Sequence, residues 1–294
     1  MPAAPIRARS NSLPLMPFST SDGVTLWTTT TGTASSLPPV VVVHGGPGLW
    51  DDYAVLAEML DDLTVVHRFD QRGCGRSGPS ELQSVRRTAQ DIDELREYWG
   101  HERIVVLGHS FGATLALAYA SWYADRAAGL VYVGGVGIGE WHPPTLAEEA
   151  RRRTPAQRDR LVELEENPRR TAAEETEFRV LAWFTDHADR AMAMTWARES
   201  AAVDLPINFA ANRALTTEVN AWPDDFVAGL ATGIRAPVTF VHGAGDPRPV
   251  STVRELATHL PRQTFHLVPD AGHSPWREQP ELFREVLREA VQGC

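Results

Sequence analysis

A serine between a short apolar run and a helical run is the feature that most constrains the fold of this chain. Residues 104–107 read I-V-V-L, which predicts a buried strand, and residues 108–112 read G-H-S-F-G with Ser110 at the centre. The helical run A-T-L-A-L-A-Y-A follows. A serine on such a sharp turn points its hydroxyl away from the sheet, and the flanking glycines relieve crowding of the strained backbone. The pattern predicts a reactive serine at the end of a strand.

Short apolar runs alternate with helical patterns along most of the chain. Strands are predicted at residues 24–31, 40–43, 63–69, 104–107, 130–133, 237–243 and 264–269, and helices at 85–98, 250–260 and 280–291. Apolar strands separated by helices are typical of parallel sheets covered on both faces. We therefore predict an α/β fold with a mostly parallel sheet flanked by helices.

One long segment interrupts this alternation. Residues 137–231 contain only helical patterns rich in Arg, Glu and Ala, with 17 acidic residues and 11 arginines. The predicted organisation is a flexible tail at 1–14, a core at 15–136, a helical cap at 137–231 inserted after the sixth strand, and the rest of the core at 232–294. The surplus of acids in the cap would favour a cationic substrate.

Composition excludes several classes of protein. All 28 basic residues among the 294 are arginine, yet the net charge is −10 and no basic run is long enough for a nucleic-acid stripe. No apolar stretch approaches the roughly 18 residues of a membrane span. Two cysteines cannot build a disulfide framework, and no His/Cys/carboxylate cluster has metal-ligand spacing. We expect a cytoplasmic protein without a metal or other cofactor, and the oligomeric state stays open.

A nucleophilic serine needs a histidine base and an acid that orients it. His273 follows the last predicted strand, where the ligand-facing residues of open α/β sheets collect. Asp246 follows the preceding predicted strand, and the chain order of serine, acid and histidine is then the expected one. Asp270 is the reserve acid, although it suits a turn better. The sequence predicts a catalytic triad of Ser110, Asp246 and His273.

Two groups of backbone amides could bind an oxyanion. One is the N–H of Phe111, beside the nucleophile. The other is the glycine-rich loop at residues 44–48, H-G-G-P-G, with Gly45 and Gly46 as candidate donors. This loop could instead cradle a phosphate, but it lacks G-x-G-x-x-G spacing and a lysine. Trp50 and Trp276 lie beside the oxyanion loop and the histidine in sequence, so we expect them to line the substrate pocket.

Together these motifs resemble the proline iminopeptidases, α/β-hydrolases that remove N-terminal proline from peptides. The similarity rests on H-G-G-P-G at 44–48, D-Q-R-G-C-G-R-S at 70–77, the serine turn, and A-G-H-S at 271–274. It covers roughly 36–136 and 235–280. The resemblance implies that Gly46 and Phe111 form the oxyanion hole and that the helical insertion covers the site.

The family also implies cap carboxylates that hold the free amine of the substrate. Residues 196–199, W-A-R-E, resemble the first of the family's two cap segments, which makes Trp196 and Glu199 candidate substrate-binding residues. The second segment would fall near residues 206–209, which contain no glutamate. Glu218 is a further candidate for the amine contact.

Three functions follow from the sequence. The first is a serine hydrolase that forms an acyl-enzyme and releases N-terminal proline or a similar residue from small peptides or amides. The second is an esterase, lactonase or other small-molecule acyl hydrolase with the same core. The third is a non-catalytic ligand-binding homologue, against which the intact triad argues. Epoxide hydrolases and haloalkane dehalogenases of this fold carry aspartate at the turn, so Ser110 argues against both.

Overall fold

The computed structural model of the protein describes residues 17–294, so the tail predicted at 1–14 lies outside the described residues. The strands are β1 (Phe18–Ser19), β2 (Thr25–Leu26), β3 (Thr28–Thr31), β4 (Val40–Val43), β5 (Val66–Phe69), β6 (Ile104–His109), β7 (Ala127–Val133), β8 (Val238–Gly243) and β9 (Gln263–Val268). β1 and β2 form a small antiparallel pair, and the other seven form one sheet in the order β3-β5-β4-β6-β7-β8-β9. Within this sheet of the described residues 17–294, β3 is antiparallel to its neighbour and the other pairs are parallel. The predicted fold class is confirmed.

The predicted first strand, at 24–31, is interrupted at one residue. The N–H of Trp27 donates to Ser77 Oγ at 3.0 Å, and its carbonyl accepts from the N–H of Asp70 at 3.1 Å. Trp27 thus pairs with the loop after β5, and β2 and β3 form on either side of it.

Helices cover both faces of the sheet. They are α1 (Ala54–Glu58), α2 (Val85–Tyr98), α3 (Phe111–Trp122), α4 (His142–Arg152), α5 (Pro155–Glu166), α6 (Ala172–Trp183), α7 (Ala193–Ala201), α8 (Phe209–Asn220), α9 (Asp224–Gly233), α10 (Val250–Thr258), α11 (Pro275–Glu278) and α12 (Pro280–Gln292). Because successive strand residues point to opposite faces, Val41 and Val43 join the core under α2 and α3, whereas Val40 and Val42 join the core under α1 and α12. Burying each such valine contributes about 1.5–3 kcal/mol.

The helical insertion follows β7, which is the fifth strand of the large sheet in chain order and not the predicted sixth. Helices α4–α8 and a 3₁₀ turn at Phe184–Asp186 come first, with a separate small core that includes Leu164, Leu181 and Ala197. Helix α9 packs against α3, and its Leu230 and Ala231 join the main core. The last part of the segment 137–231 therefore belongs to the helical layer of the sheet, and the division into core and cap stays a prediction.

Candidate active site

Ser110 occupies the sharp turn between β6 and α3. Its backbone has φ +56° and ψ −123°, a conformation that a residue with a side chain rarely adopts. Both flanking glycines are required by close contacts: a Cβ on Gly108 would lie 2.1 Å from the carbonyl oxygen of Gly112, and a Cβ on Gly112 would lie 2.1 Å from that of Val43. The turn therefore projects the serine beyond the end of the sheet.

The structure brings the other two predicted triad residues together. His273 follows β9 and Asp246 follows β8, and Nδ1 of His273 lies 2.6 Å from Oδ2 of Asp246. Ser110 and His273 line one cavity of about 700 Å³, and Asp246 is buried behind the histidine. The loops that carry these residues share one edge of the sheet because the carboxyl ends of its parallel strands lie there. Asp270, the reserve acid, lies exposed in the turn after β9 with φ +51°, and the carboxylate that bonds to His273 is that of Asp246.

Asp246 is held as a carboxylate. Burial alone would raise the pKa of Asp246, but the interactions with His273 and with the charge of Arg248 outweigh burial and hold it well below its ordinary value. Oδ1 accepts from the backbone N–H of Arg248 at 2.9 Å and from its Nη1 at 3.3 Å. Because a carboxylate can only accept, Nδ1 of His273 is the donor, and Nε2 is left to act on the serine.

Two of the three predicted oxyanion donors fit the geometry. Phe111 is the first residue of α3, so its N–H has no acceptor within the helix. Gly46 lines the cavity with φ +136°, a conformation suited to glycine. Gly45 also lines the cavity, but its N–H donates to the hydroxyl of Tyr53 at 3.2 Å. The prediction of Gly45 as a donor is therefore wrong, because Tyr53 already uses that amide.

Contacts from the insertion and from the core hold the oxyanion loop. Helix α8 supports it from the insertion: Asn212 Nδ2 donates to the carbonyl of Pro47 at 2.8 Å, and the N–H of Asn208 donates to that of Gly48 at 2.8 Å. On the core side, Nε2 of the buried His44 accepts from the N–H of Gln71 at 3.0 Å. The loop is thus fixed from both sides.

The D-Q-R-G-C-G-R-S segment is a structural support. The guanidinium of Arg72 is fully buried and makes two contacts with Asp91, at 2.6 and 2.7 Å. The carboxylate of Asp70 accepts from Nε of Arg76 at 2.6 Å and from the N–H of Asp51 at 2.6 Å. These paired charges fix the loop after β5 beneath the oxyanion loop. Removing one partner of such a buried bidentate pair would destabilise the fold, because it would leave the other charge buried without compensation.

Of the five predicted substrate-binding residues, Trp50 and Trp276 line the cavity. Glu199, Glu218 and Trp196 do not. Oε2 of Glu199 pairs with Nη1 of Arg277 at 3.2 Å, and Glu218 accepts from the first N–H of α2, that of Val85, at 2.9 Å. Trp196 packs on the far side of His187, with ring centroids 5.1 Å apart. The structure does not bring these three residues into the cavity, because both glutamates are paired elsewhere, Glu199 with Arg277 at the cavity wall and Glu218 with the start of α2.

The cavity instead contains three other carboxylates, of which Asp186 is paired with Arg248. Asp52 and Glu58 line it, and neither forms an ion pair with any residue of the described range 17–294. The side chain of Asp52 has an exposed surface, but the protein around it displaces part of its hydration, which raises its pKa. The charge of Arg277 acts in the opposite direction. The signal for Asp52 was its place in W-D-D-Y, directly after the oxyanion loop. Glu58, on α1, gave no such signal because that helix is too short to show a period.

No cluster of three or more His, Cys, Asp or Glu in residues 17–294 is arranged to hold a metal ion. Over the same residues, none of the helices combines the length and apolarity needed to cross a membrane.

Comparison with known proteins identifies the family. Residues 38–277, more than half of the chain, match the family described as alpha/beta hydrolase fold. The chain therefore belongs to the α/β-hydrolase fold family. Among solved structures it is similar to proline iminopeptidase of Mycobacterium smegmatis (TM-score 0.71, 22% identity, covering 95% of this chain and 98% of that one). It is also similar to a thermophilic esterase of Thermogutta terrifontis (TM-score 0.68, 24% identity, 96% and 98%). At these identities the similarity concerns the fold.

Curated relatives give a closer but shorter match. Proline iminopeptidase of Saccharolobus solfataricus is 38% identical over 102 residues, which is 33% of this chain and 33% of that protein. The enzyme of Neisseria gonorrhoeae is 38% identical over 99 residues, 33% and 32%. The matches thus span about a third of the length of these relatives.

Proposed function

We propose that the protein is a serine hydrolase that works through an acyl-enzyme. The observation that carries this proposal is the 2.6 Å contact between His273 and Asp246 at the cavity that holds the strained Ser110. A non-catalytic binding protein has no need for a serine in that conformation, a paired histidine and a buried carboxylate at one place.

The proposed reaction follows from these groups. Ser110 Oγ attacks the substrate carbonyl and passes its proton to Nε2 of His273, while the N–H groups of Gly46 and Phe111 bind the oxyanion. The tetrahedral intermediate collapses, and His273 protonates the departing amine or alcohol. Water then attacks the ester on Ser110, with His273 again taking the proton, which releases the acid and the free enzyme.

For the substrate we propose a short peptide or amide with a free N-terminal proline or a similar residue. The similarity to proline iminopeptidases supports this class. So do Asp52 and Glu58, which leave the cavity two unpaired carboxylates among residues 17–294. A protonated amine is the partner they would accept. Trp50 and Trp276 supply apolar walls suited to a pyrrolidine ring.

A second candidate is an ester or other small-molecule acyl hydrolase. The observation in its favour is that Glu199 and Glu218, the expected amine contacts of the insertion, pair with Arg277 and the start of α2. With those contacts elsewhere, the core could process acyl groups that carry no amine.

The test compares substrates and a serine variant. Ser110→Ala should abolish hydrolysis of both p-nitrophenyl acetate and L-proline p-nitroanilide while circular dichroism stays unchanged. Undiminished turnover by Ser110→Ala would refute the serine mechanism. Cleavage of N-acetylproline p-nitroanilide as fast as the free-amine compound would refute the aminopeptidase assignment and favour the second candidate.

A further inference from the structure

An arginine joins the catalytic acid to the helical insertion. Nη1 of Arg248 lies 3.3 Å from Oδ1 of Asp246 and 2.5 Å from Oδ1 of Asp186, which ends the 3₁₀ turn after α6. The carboxylate of Asp246 is fully buried, and the other two side chains are about four-fifths buried, at 17% and 18% exposed. Arg248 is therefore shared between a carboxylate of the core and one of the insertion.

The same turn also contacts the histidine loop through its backbone. The carbonyl of Asp186 accepts from the N–H of His273 at 2.7 Å. A Cβ on Gly272 would lie 2.1 Å from that carbonyl oxygen, so only glycine permits this approach. Arg152 ties the turn to the loop of the acid, donating to the carbonyls of Thr185 at 2.7 Å and Gly245 at 2.8 Å. The insertion thus touches both members of the His–Asp pair.

Other titratable groups lie near Asp246 and His273, but they are neutral or are bonded to other partners. His109 packs on His273 with ring centroids 4.6 Å apart, and Nε2 of His242 lies 4.0 Å from Oδ2 of Asp246. Burial lowers the pKa of both histidines, which keeps them neutral at pH 7. Glu278 is occupied by the N–H of Gly272 at 2.5 Å. Among residues 17–294, Arg248 is thus the charged side chain that bonds to the carboxylate of Asp246, and Asp186 is the carboxylate that bonds to Arg248 in turn.

We propose that Arg248 and Asp186 are positioning residues, through which the helical insertion fixes the Asp246–His273 pair and sets how tightly that pair holds a proton. The proposal rests on the proposed hydrolase function for its kinetic consequences, although the proton affinity of the pair can be measured without turnover. Arg248 repels a proton on the pair, and Asp186 offsets part of that repulsion because it shares the same guanidinium.

The two residues therefore have opposite effects when their charges are removed. Arg248→Met leaves the pair and Asp186 without a compensating cation, so the acid limb of the kcat/KM profile should move up by about 1 pH unit. Asp186→Asn keeps the backbone carbonyl but frees the charge of Arg248, so the limb should move down by a similar amount. In the double variant the limb should return toward that of the unmodified protein. KM should change less than kcat.

The measurement uses the full chain and two readouts. The first is the pH profile of kcat/KM with p-nitrophenyl acetate. The second is the NMR titration of the His273 ring, assigned by the signal lost in His273→Gln, which needs no catalysis. Failure of the hydrolase proposal would remove only the first readout. Arg235→Met is the control, since Arg235 pairs with Asp125 on the surface, with side chains 73% and 83% exposed. Arg248→Lys, which keeps the charge, should leave the limb in place.

The outcomes separate positioning from a general structural role. Opposite shifts in Arg248→Met and Asp186→Asn, with recovery in the double variant, support the proposal. Loss of activity without movement of the His273 titration, or movement of both variants in one direction, would overturn it. If Arg248→Met fails to fold, Arg248→Lys and Asp186→Asn still decide: an unmoved titration in Asp186→Asn would overturn the proposal.

Discussion

The hydroxyl of Tyr53 lies 2.7 Å from Nδ1 of His109, the residue before the nucleophilic serine. The carbonyl of His273, 2.8 Å from Nε2 of His109, can only accept, so Nε2 carries the proton of the neutral ring and donates. Nδ1 of His109 therefore accepts, and the Tyr53 hydroxyl, which itself accepts the N–H of Gly45, donates to it. Burial lowers the pKa of His109, with the nearby His273 acting in the same direction, which suits this neutral tautomer. One chain of hydrogen bonds thus joins the oxyanion loop, the serine turn and the histidine loop.

Tyr53→Phe should therefore lower kcat by about tenfold or less, which corresponds to the about 0.5–1.5 kcal/mol of a typical hydrogen bond. KM should change little, since the ring that lines the cavity stays. Steady-state kinetics with p-nitrophenyl acetate measures this effect. Tyr98→Phe is the matched control, because Tyr98 is 42% exposed and packs against Phe18 away from the site. Equal rates in the two variants would show that the Tyr53 hydroxyl does not support catalysis.

Asp246→Asn should reduce kcat by about 10⁴-fold, as in the serine-protease precedent, because an amide can present an N–H to Nδ1 and favour the wrong histidine tautomer. Asp270→Asn is the control: asparagine also tolerates the left-handed backbone that Asp270 adopts with φ +51°. Rates for both variants should be compared at one pH near neutrality. A large loss in Asp270→Asn, with little change in Asp246→Asn, would reverse the assignment of the acid.

The sequence predicted the parts of the site that lie on the sheet. Ser110, Asp246 and His273 each follow an apolar strand, and the parallel arrangement alone brings such positions together. The contacts of the insertion could not be predicted in this way. Whether Glu199 faces the cavity depends on how the insertion packs on the core, which no local period reveals. Likewise, the commitment of the Gly45 amide to Tyr53 is a contact between two loops.

If the cavity accepts a free amine, Asp52 should bind it. Asp52→Asn should lower kcat/KM for L-proline p-nitroanilide by about tenfold, the effect of roughly 1.4 kcal/mol in a charged contact. Hydrolysis of p-nitrophenyl acetate, which has no amine, should change less than twofold. Glu199→Gln is the matched control and should leave both rates nearly unchanged, since its carboxylate already pairs with Arg277.

The opposite result would support the sequence-based prediction that Glu199 binds the amine. A selective loss of the proline substrate in Glu199→Gln, with none in Asp52→Asn, would mean that the insertion supplies the amine contact after all. Parallel losses on both substrates in Asp52→Asn would indicate that this residue supports the site without recognising an amine.

Away from the site, His67 should make stability depend on pH. It is 3% exposed, stacks on Trp99 with ring centroids 4.0 Å apart, and lies between Thr30 Oγ1 and His101 Nε2, each at 2.8 Å. Burial, and then the neighbouring His101, lower the pKa of His67 to about 3. The pKa of a histidine in the unfolded chain is about 6.5. Between these values the unfolded state binds the extra proton, so stability is full above about pH 6.5 and falls as the pH is lowered.

His67→Gln should remove this part of the pH dependence. Between pH 5 and 6, the free energy of unfolding should fall less steeply in the variant, by about 1.4 kcal/mol per pH unit for one proton. Urea unfolding followed by tryptophan fluorescence at each pH measures the slope, and the exposed His142→Gln serves as the matched control. The comparison uses the slopes and not the stability at pH 7, because loss of the stacking on Trp99 changes the free energy of unfolding of His67→Gln at every pH. Equal slopes in His67→Gln and the unmodified protein would contradict the prediction.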